Sequence, residues 1–317
     1  MIKSFFPISL HSLRLESVPS FDLYILHKSK ADHVLYRHKN TEFSGAVQDN
    51  LLANEVTELY VPREQRDDYF EYASREIADV VRDENLGANE KSQAVYKTTS
   101  NIMEDLFVTP RSSTRIKQAK KAINSTVDFM LHNEEATRSL IFLTSHDYYT
   151  YTHSVNVSIF STALAQRVDD QIAGMADIKT LSEGFLLHDI GKAKIPSAII
   201  NKSGKLTDDE WEMMKKHPQW GQEILQQTGE INPTIEAIVL QHHERPNGSG
   251  YPHGLKADDI DLAAKICCIA DVFDAITTVR SYRDPLTTFD ALQEMRDKMG
   301  EHFDWGLFDE FVQLFHA

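Results

Sequence analysis

The sequence predicts a mainly α-helical protein, with an all-α bundle in the C-terminal half and a smaller mixed α/β module before it. Three observations predict it. Short runs rich in aromatic and branched residues lie within the first 65 positions. From Thr144 onward, helix-start signals and apolar residues at three- and four-residue spacing follow in quick succession. Between the two, a charged stretch of helical pattern runs from Pro62 to Pro110 without an intervening proline.

Taken in order, Phe21 to Leu26 and Val34 to Tyr36 read as two strands of a hairpin around the polar stretch Lys28 to Asp32. Glu55 to Val61 reads as a further strand before Pro62. Residues 1–65 are therefore expected to form a small mixed α/β module with a regulatory or oligomerising role, residues 66–143 a helical connector, and residues 144–317 the bundle. Within the bundle, Val155, Ile159, Phe160, Ala163, Leu164 and Val168 keep the spacing of an apolar helix face. Thr180 with Glu183, and Thr207 with Glu210, have the spacing of capping boxes. Asn232-Pro233 has the form of an N-cap followed by proline at N1, opening a helix at Ile235. From Leu262 to Val279 the chain is apolar almost all round, which predicts a central helix.

The chain has 317 residues, 41% hydrophobic and 26% charged, the profile of a soluble globular protein with room for two domains. It contains no apolar run of membrane-spanning length and no signal-peptide pattern at the N-terminus, so the expectation is a cytoplasmic protein without membrane insertion. The two cysteines, Cys267 and Cys268, are adjacent and lie in an apolar run, which makes them small core residues and excludes a thiolate metal site. A net charge of −15 argues against binding polymeric nucleic acid. It leaves room for a small phosphorylated ligand, because local cations reverse the potential inside a cleft.

Histidines and aspartates fall at particular points of the helices. His153 begins one helix, and His188-Asp189 closes another, with Gly191 placed to end it and Lys192 just beyond. His217 precedes Pro218 and so belongs at a helix boundary. His242 continues the Ile235, Ile238, Val239 stripe and should point inward, with His243 beside it. Asp271 and Asp274, three apart, share a face of the central helix. Any one of these histidines alone reads better as a hydrogen-bonded core residue. A carboxylate in an apolar helix is costlier, unless it is paired or coordinates a metal. Together, imidazoles and carboxylates on several helices are how bundles build metal sites, and mixed N/O donors suit Fe, Mn or Zn over Ca or Mg.

Several ordered motifs make the chemistry more specific. They are Tyr148-Tyr149-Thr150-Tyr151-Thr152-His153-Ser154, His188-Asp189-Ile190-Gly191-Lys192, His242-His243-Glu244-Arg245-Pro246-Asn247-Gly248-Ser249-Gly250-Tyr251-Pro252, Ala270-Asp271-Val272-Phe273-Asp274-Ala275, Arg280-Ser281-Tyr282-Arg283 and Phe303-Asp304. From Asp147 through Asp304 the chain resembles the HD-GYP family, bacterial phosphodiesterases of the HD superfamily that act on cyclic di-GMP. The resemblance implies an HD-type bundle with metal ligands at His153, His188, Asp189, His217, His242, His243 and Asp271, Asp189 bridging. It implies catalytic roles for Lys192 and Asp189, and substrate contacts at Asp274, Arg280, Arg283 and Tyr251. Asp274 would also orient Lys192, hold a metal-bound water or fix a ligating histidine. Members with three metals carry a glutamate where Tyr149 stands, so two divalent ions are expected here, Fe or Mn.

The implied reaction is hydrolysis of cyclic di-GMP to pGpG, and onward to GMP, by a metal-bridging hydroxide. The alternative is a catalytically weak or inactive cyclic-dinucleotide sensor, to which Asn247 gives room, since an aspartate is more usual there. Asn247-Gly248 still suits a turn with positive φ. Protein partners acting through the signature loop or the N-terminal module, and a homodimer, are compatible with the resemblance.

Overall fold

The computed structural model describes residues 4–27, 32–144, 150–172, 174, 176–279 and 284–316. Four short strands form an antiparallel sheet in the order β1-β4-β2-β3: β1 Phe5–Ser9, β2 Leu23–His27, β3 Asp32–Arg37 and β4 Glu58–Pro62. The expected hairpin is β2 with β3, its polar connection, residues 28–31, lying outside the described residues. The later strand starts at Glu58, not Glu55, because Glu55 takes a left-handed φ of 57° that an extended strand excludes. β1 and the helix α1 (Gly45–Ala53) had no clear signal in the sequence. β1 contains Pro7, which discourages a strand reading, but β1 is an edge strand and tolerates it. Only Leu51 of α1 is buried, so that helix carries almost no apolar stripe.

Helices α2 (Arg66–Arg82), α3 (Ala88–Val108), α4 (Ser113–His132) and α5 (Glu134–Leu143) follow. The ring of Tyr69 on α2 lies edge-on to Phe6 of β1 at 5.3 Å and to Phe21 at 5.5 Å. α3 also holds the sheet directly, since Asn101 Nδ2 donates to the Pro7 carbonyl at 2.9 Å. One apolar cluster runs from Phe6 and Phe21 through Ile102 and Ile123 to Val155 and Ile159, joining the sheet, α3, α4 and the first helix of the C-terminal half.

That helix, α6 (Thr150–Arg167), shows more than the single apolar face its spacing predicts. Val155, Ile159 and Ala163 face the N-terminal cluster, while Val157, Phe160 and Leu164 face a second one. The polar residues between them are buried too, and short side chains make this tolerable. Ser158 Oγ donates to the Val155 carbonyl at 2.7 Å, and the Thr162 and Ser182 hydroxyls pair at 2.7 Å. The short α7 (Asp169–Ile172) leads to α8 (Ile178–Leu187), a 3-10 turn over Ile190–Lys194, and the one-turn α9 (Ser197–Ile200). Then come α10 (Asp208–Met214), α11 (His217–Thr228), α12 (Pro233–Gln241), α13 (Leu262–Thr277), α14 (Thr288–Met299) and α15 (Trp305–Val312).

Two of the three predicted helix starts are present. Thr207 and Glu210 form a reciprocal capping box on α10, and Asn232 Oδ1 accepts from Ile235 N–H at 2.9 Å with Pro233 opening α12. Thr180–Glu183 is not a capping box. Asp177 caps α8 by accepting the Lys179 and Thr180 N–H groups, and Thr180 donates its hydroxyl to the same carboxylate. α13 is buried along most of its length, with Cys267 and Cys268 in its core as free thiols. Among the described residues no helix is long and apolar enough to cross a membrane.

Candidate metal centre

Five elements converge on Asp189. α6 carries His153, and the end of α8 carries His188 as its C-cap with Asp189 next. α11 begins at His217, α12 ends just before His242 and His243, and α13 supplies Asp271. Helix termini therefore deliver five of the seven side chains, which lets rigid elements aim short side chains at one point.

The two Asp189 oxygens face different partners. Oδ2 lies 3.5 Å from His153 Nε2 and 3.4 Å from His188 Nε2. Oδ1 lies 3.2 Å from His217 Nε2 and 3.8 Å from His242 Nε2. Asp271 Oδ1 is 2.9 Å from His153 Nε2, and its Oδ2 is 3.5 Å from His243 Nδ1. The donors fall into two clusters able to hold a metal ion, Asp189 with His217, His242 and His243, and His153 with His188 and Asp271.

Groups behind the rings fix which nitrogen faces inward. His188 Nδ1 lies 2.7 Å from the Phe185 carbonyl, His217 Nδ1 2.8 Å from that of Met214, and His242 Nδ1 2.9 Å from that of Val239. A carbonyl only accepts, so each Nδ1 carries the proton and each Nε2 presents a lone pair to the centre. His217 Nε2 and His242 Nε2 then stand 3.1 Å apart. Burial pushes the His217 pKa down to about 3, against the pull of Asp189, and that of His242 to about 4, with His188 adding to the effect. Both are neutral near pH 7, so two lone pairs face each other beside a carboxylate. A cation resolves that arrangement, and the buried donor set fits one.

The carboxyls behave as ligands should. Burial pushes Asp189 up, but the Lys192 ammonium, then His188 and His217, outweigh it and hold the group well below the usual range. Burial opposes ionisation of Asp271 as well, and the nearby imidazoles, His153 and His243 foremost, again prevail and hold it well below the usual range. Burial, reinforced by His242, pushes His243 well below its ordinary value.

The expected substrate contacts separate. Lys192 Nζ sits 2.5 Å from Asp189 Oδ2 and lines a cleft of about 910 Å³ with His217, His243 and Tyr251. The Tyr251 ring lies 4.7 Å from that of His243 and 6.0 Å from that of Trp211, at the cleft wall. Asp274 does not reach this cleft. It is fully buried behind His153, accepting from His153 Nδ1 at 2.6 Å and from Asn156 Nδ2 at 2.8 Å. Both oxygens are thus committed away from the cleft, and neither a substrate contact nor a hold on Lys192 is available to it. Arg280, Arg283 and Tyr149 lie outside the described residues.

Over residues 142–307, just over half of the chain, the sequence matches the HD domain family. The chain belongs to that family. Its motifs place it in the HD-GYP branch. It is 38% identical over 186 residues to the cyclic di-GMP phosphodiesterase PA4108 of Pseudomonas aeruginosa, covering 58% of this chain and 44% of that protein. It is 32% identical over 203 residues to 3'3'-cGAMP-specific phosphodiesterase 2 of Vibrio cholerae, covering 59% and 38%. To the cyclic di-GMP phosphodiesterase response regulator RpfG of Xanthomonas campestris it is 42% identical over 131 residues, covering 40% and 34%. The chain thus spans less than half the length of these curated relatives. In fold it is similar to Bd1817, an HDG"Y"P protein from Bdellovibrio bacteriovorus, with a TM-score of 0.68 at 21% identity, covering 99% of this chain and 100% of that one.

Four features of this HD-GYP site correct, confirm or extend the sequence reading. Gly191 does not itself end α8, which stops at Leu187 with His188 as its C-cap. It lies in the 3-10 turn, where an added Cβ would meet the His217 carbonyl oxygen at 1.9 Å, so its role is close approach of the turn to α11. Glu244, passed over as part of a motif, is buried and staples the signature loop, accepting from His253 N–H at 2.6 Å and Leu255 N–H at 2.9 Å. In that loop Gly248 takes a φ of 79°, and Asn247 Oδ1 accepts from Ser249 N–H at 3.0 Å, so the Asn-Gly pair does form a turn. The cleft wall from Ile199 to Trp211, with Lys202 and Lys205, was also missed. Its only sequence signal was a pair of lysines flanking Ser203-Gly204 before the α10 capping box.

Proposed function

We propose that this chain hydrolyses cyclic di-GMP at a two-metal centre, giving pGpG and, with further turnover, GMP. The observation that carries the reading is the convergence of five imidazoles and Asp271 on Asp189, with four of the ring tautomers set from behind. In this reading His153, His188 and Asp271 would hold one ion and His217, His242 and His243 the other, with Asp189 placed between the two groups. Nitrogen-rich mixed donors suit iron or manganese. Two divalent ions would supply Lewis acidity and an activated water for in-line attack on phosphorus.

The remaining work belongs to the chain. Lys192, beside Asp189 at the cleft floor, neutralises charge that builds on the phosphoryl oxygens and assists the leaving oxygen. Tyr251 and Trp211 offer flat apolar faces to a nucleobase, and Lys202 and Lys205 lend positive charge to the wall. Arg280 and Arg283 follow Val279, a lining residue of the same cleft, and are assigned to phosphate or guanine edges from the motif. The cleft volume lies within the range of ligand sites. The names of the relatives, split between cyclic di-GMP and 3'3'-cGAMP, support a cyclic dinucleotide as the substrate class.

The test is anaerobically prepared protein loaded with Fe or Mn and assayed by chromatography against cyclic di-GMP and 3'3'-cGAMP in parallel. Cleavage of cyclic di-GMP is expected, with metal and turnover both lost in Asp189→Ala. Protein that keeps its metal and leaves cyclic di-GMP uncut overturns the reading. Binding without cleavage then establishes a sensor, and cleavage of 3'3'-cGAMP alone reassigns the substrate.

A further inference from the structure

The α3 helix, which holds the N-terminal sheet, reaches the metal centre through a continuous line of hydrogen bonds. Tyr96 Oη on α3 lies 2.8 Å from Asn156 Oδ1 on α6. Asn156 Nδ2 lies 2.8 Å from Asp274 Oδ1 and 3.0 Å from the Thr144 carbonyl. Asp274 Oδ2 in turn lies 2.6 Å from His153 Nδ1. Asn156, Asp274 and His153 are all buried.

The direction of every bond is fixed by chemistry. A carboxylate and a carbonyl only accept, so the Asn156 amide must turn its NH2 toward Asp274 and Thr144. Its oxygen is then left for Tyr96, whose hydroxyl must donate. Asp274, held on one side by the amide, takes the Nδ1 proton of His153 on the other. This leaves His153 Nε2 as the atom facing Asp189 and Asp271. A carboxylate behind a ligating imidazole sets its tautomer and raises its basicity.

We propose that Asn156 is a positioning residue, and that through it Tyr96 of the N-terminal helical segment sets the metal affinity of the His153 side of the centre. The proposal rests on the metal-centre reading above but not on turnover or substrate. Its importance lies in where Tyr96 sits. The same helix bonds β1 through Asn101 and Pro7, so a shift of the sheet relative to the bundle is passed to a hydrogen bond two partners away from a metal ligand.

The experiment is equilibrium Mn2+ titration against a competing chelator, with metal content by mass spectrometry and thermal melting of the metal-free form. The variants are Tyr96→Phe, Asn156→Ala, Asp274→Ala and the double variant Tyr96→Phe/Asp274→Ala. Partners behind metal-bound histidines are worth roughly 10- to 100-fold in affinity. Asn156→Ala is expected to weaken Mn2+ binding by about that factor, and Tyr96→Phe by about tenfold with an unchanged metal-free melt. Adding Tyr96→Phe to Asp274→Ala should change nothing further, because in the relay the hydroxyl reaches His153 through that carboxylate. Wild-type affinity in Tyr96→Phe, or an equal loss in both backgrounds, overturns the relay even if Asn156→Ala fails to fold. A wild-type protein that takes up no Mn2+ or Fe2+ overturns the metal centre and the relay with it, whereas metal uptake without cleavage refutes the proposed activity alone.

Discussion

Gly191→Ala tests how tightly backbone packing sets the ligand geometry. The turn that carries Asp189 lies against the start of α11, which carries His217. A Cβ at residue 191 would stand 1.9 Å from the His217 carbonyl oxygen, 2.5 Å from Gly221 N and 2.8 Å from the His217 carbonyl carbon. All three are backbone atoms, so no rotamer change relieves the clash. Ordinary contact begins near 3.4 Å, and the two segments must part by about 1.5 Å. His217 Nε2 and Asp189 Oδ1, 3.2 Å apart, belong one to each segment, and the gap opens between them. Metal–ligand distances tolerate only about 0.2 Å, so the variant should lose metal at concentrations that saturate the wild type. Overpacking of this kind costs about 1–3 kcal/mol of stability. Urea denaturation of the metal-free protein and Mn2+ titration measure the two effects. Gly221→Ala is the internal control, since its Cβ first meets the Val239 side chain at 2.8 Å, which has room to rotate. A Gly191→Ala protein with wild-type stability and metal affinity refutes the reasoning.

Three further outcomes are expected. For the metal-free protein, His217 and His242 take up protons only near pH 3 and 4 when folded, against 6.5 when unfolded. Below pH 6.5 the unfolded chain therefore holds more protons, and stability falls with pH by up to about 1.4 kcal/mol per unit for each imidazole. Urea midpoints that stay flat from pH 7 to 5 contradict this. Burial pushes the Cys268 thiol up to about 12 and Cys267 well above its ordinary value, so neither should react with a thiol reagent near neutral pH until the protein unfolds. Rapid native labelling, followed by peptide mapping, counts against the buried α13. Glu244→Ala should cost about 2–3 kcal/mol by releasing two loop N–H groups, and Glu244→Gln should recover part of that through its remaining oxygen. Equal denaturation midpoints for all three proteins rule out the staple.

The C-terminal bundle was legible because its signals are local. Asn232-Pro233 and Thr207–Glu210 mark helix starts with side chains that bond within three residues, and α13 announces its burial by being apolar all round. Thr180–Glu183 misled because Asp177, three residues earlier, starts the helix and takes the Thr180 N–H that the box would have given to Glu183. The motif histidines and aspartates could be chosen from the sequence, but their distances depend on how five elements pack. Asp274 shows that limit. Its spacing from Asp271 puts both on one face, yet three residues along a helix is nearly one turn, enough to carry Asp274 past the centre to the far side of His153. Asn156 was hidden for a different reason. An asparagine in an apolar helix has no periodic signature, and its side-chain partners stand 60 and 118 residues away in sequence.

A net charge of −15 and the anionic substrate proposed here pull in opposite directions, and the composition of the donor set offers a way to reconcile them. The cleft wall has Lys192, Lys202 and Lys205, but Asp189 pairs with Lys192 and Glu210 with Lys202, and Asp208 lines the wall as well, so the wall lysines alone do not make it strongly positive. The floor matters more, because charges there act at short range in low dielectric. A centre built chiefly from carboxylates would cancel the charge of its own metals and repel a phosphodiester. Here five of the seven donors are imidazoles, and burial depresses His217, His242 and His243 so that they stay neutral. Two carboxylates would then offset only part of the charge of the two divalent ions proposed here, and the floor would stay positive. The same burial that makes the imidazoles good ligands would therefore also make the loaded site an anion site, which is why histidine, and not additional aspartate, fits the proposed chemistry.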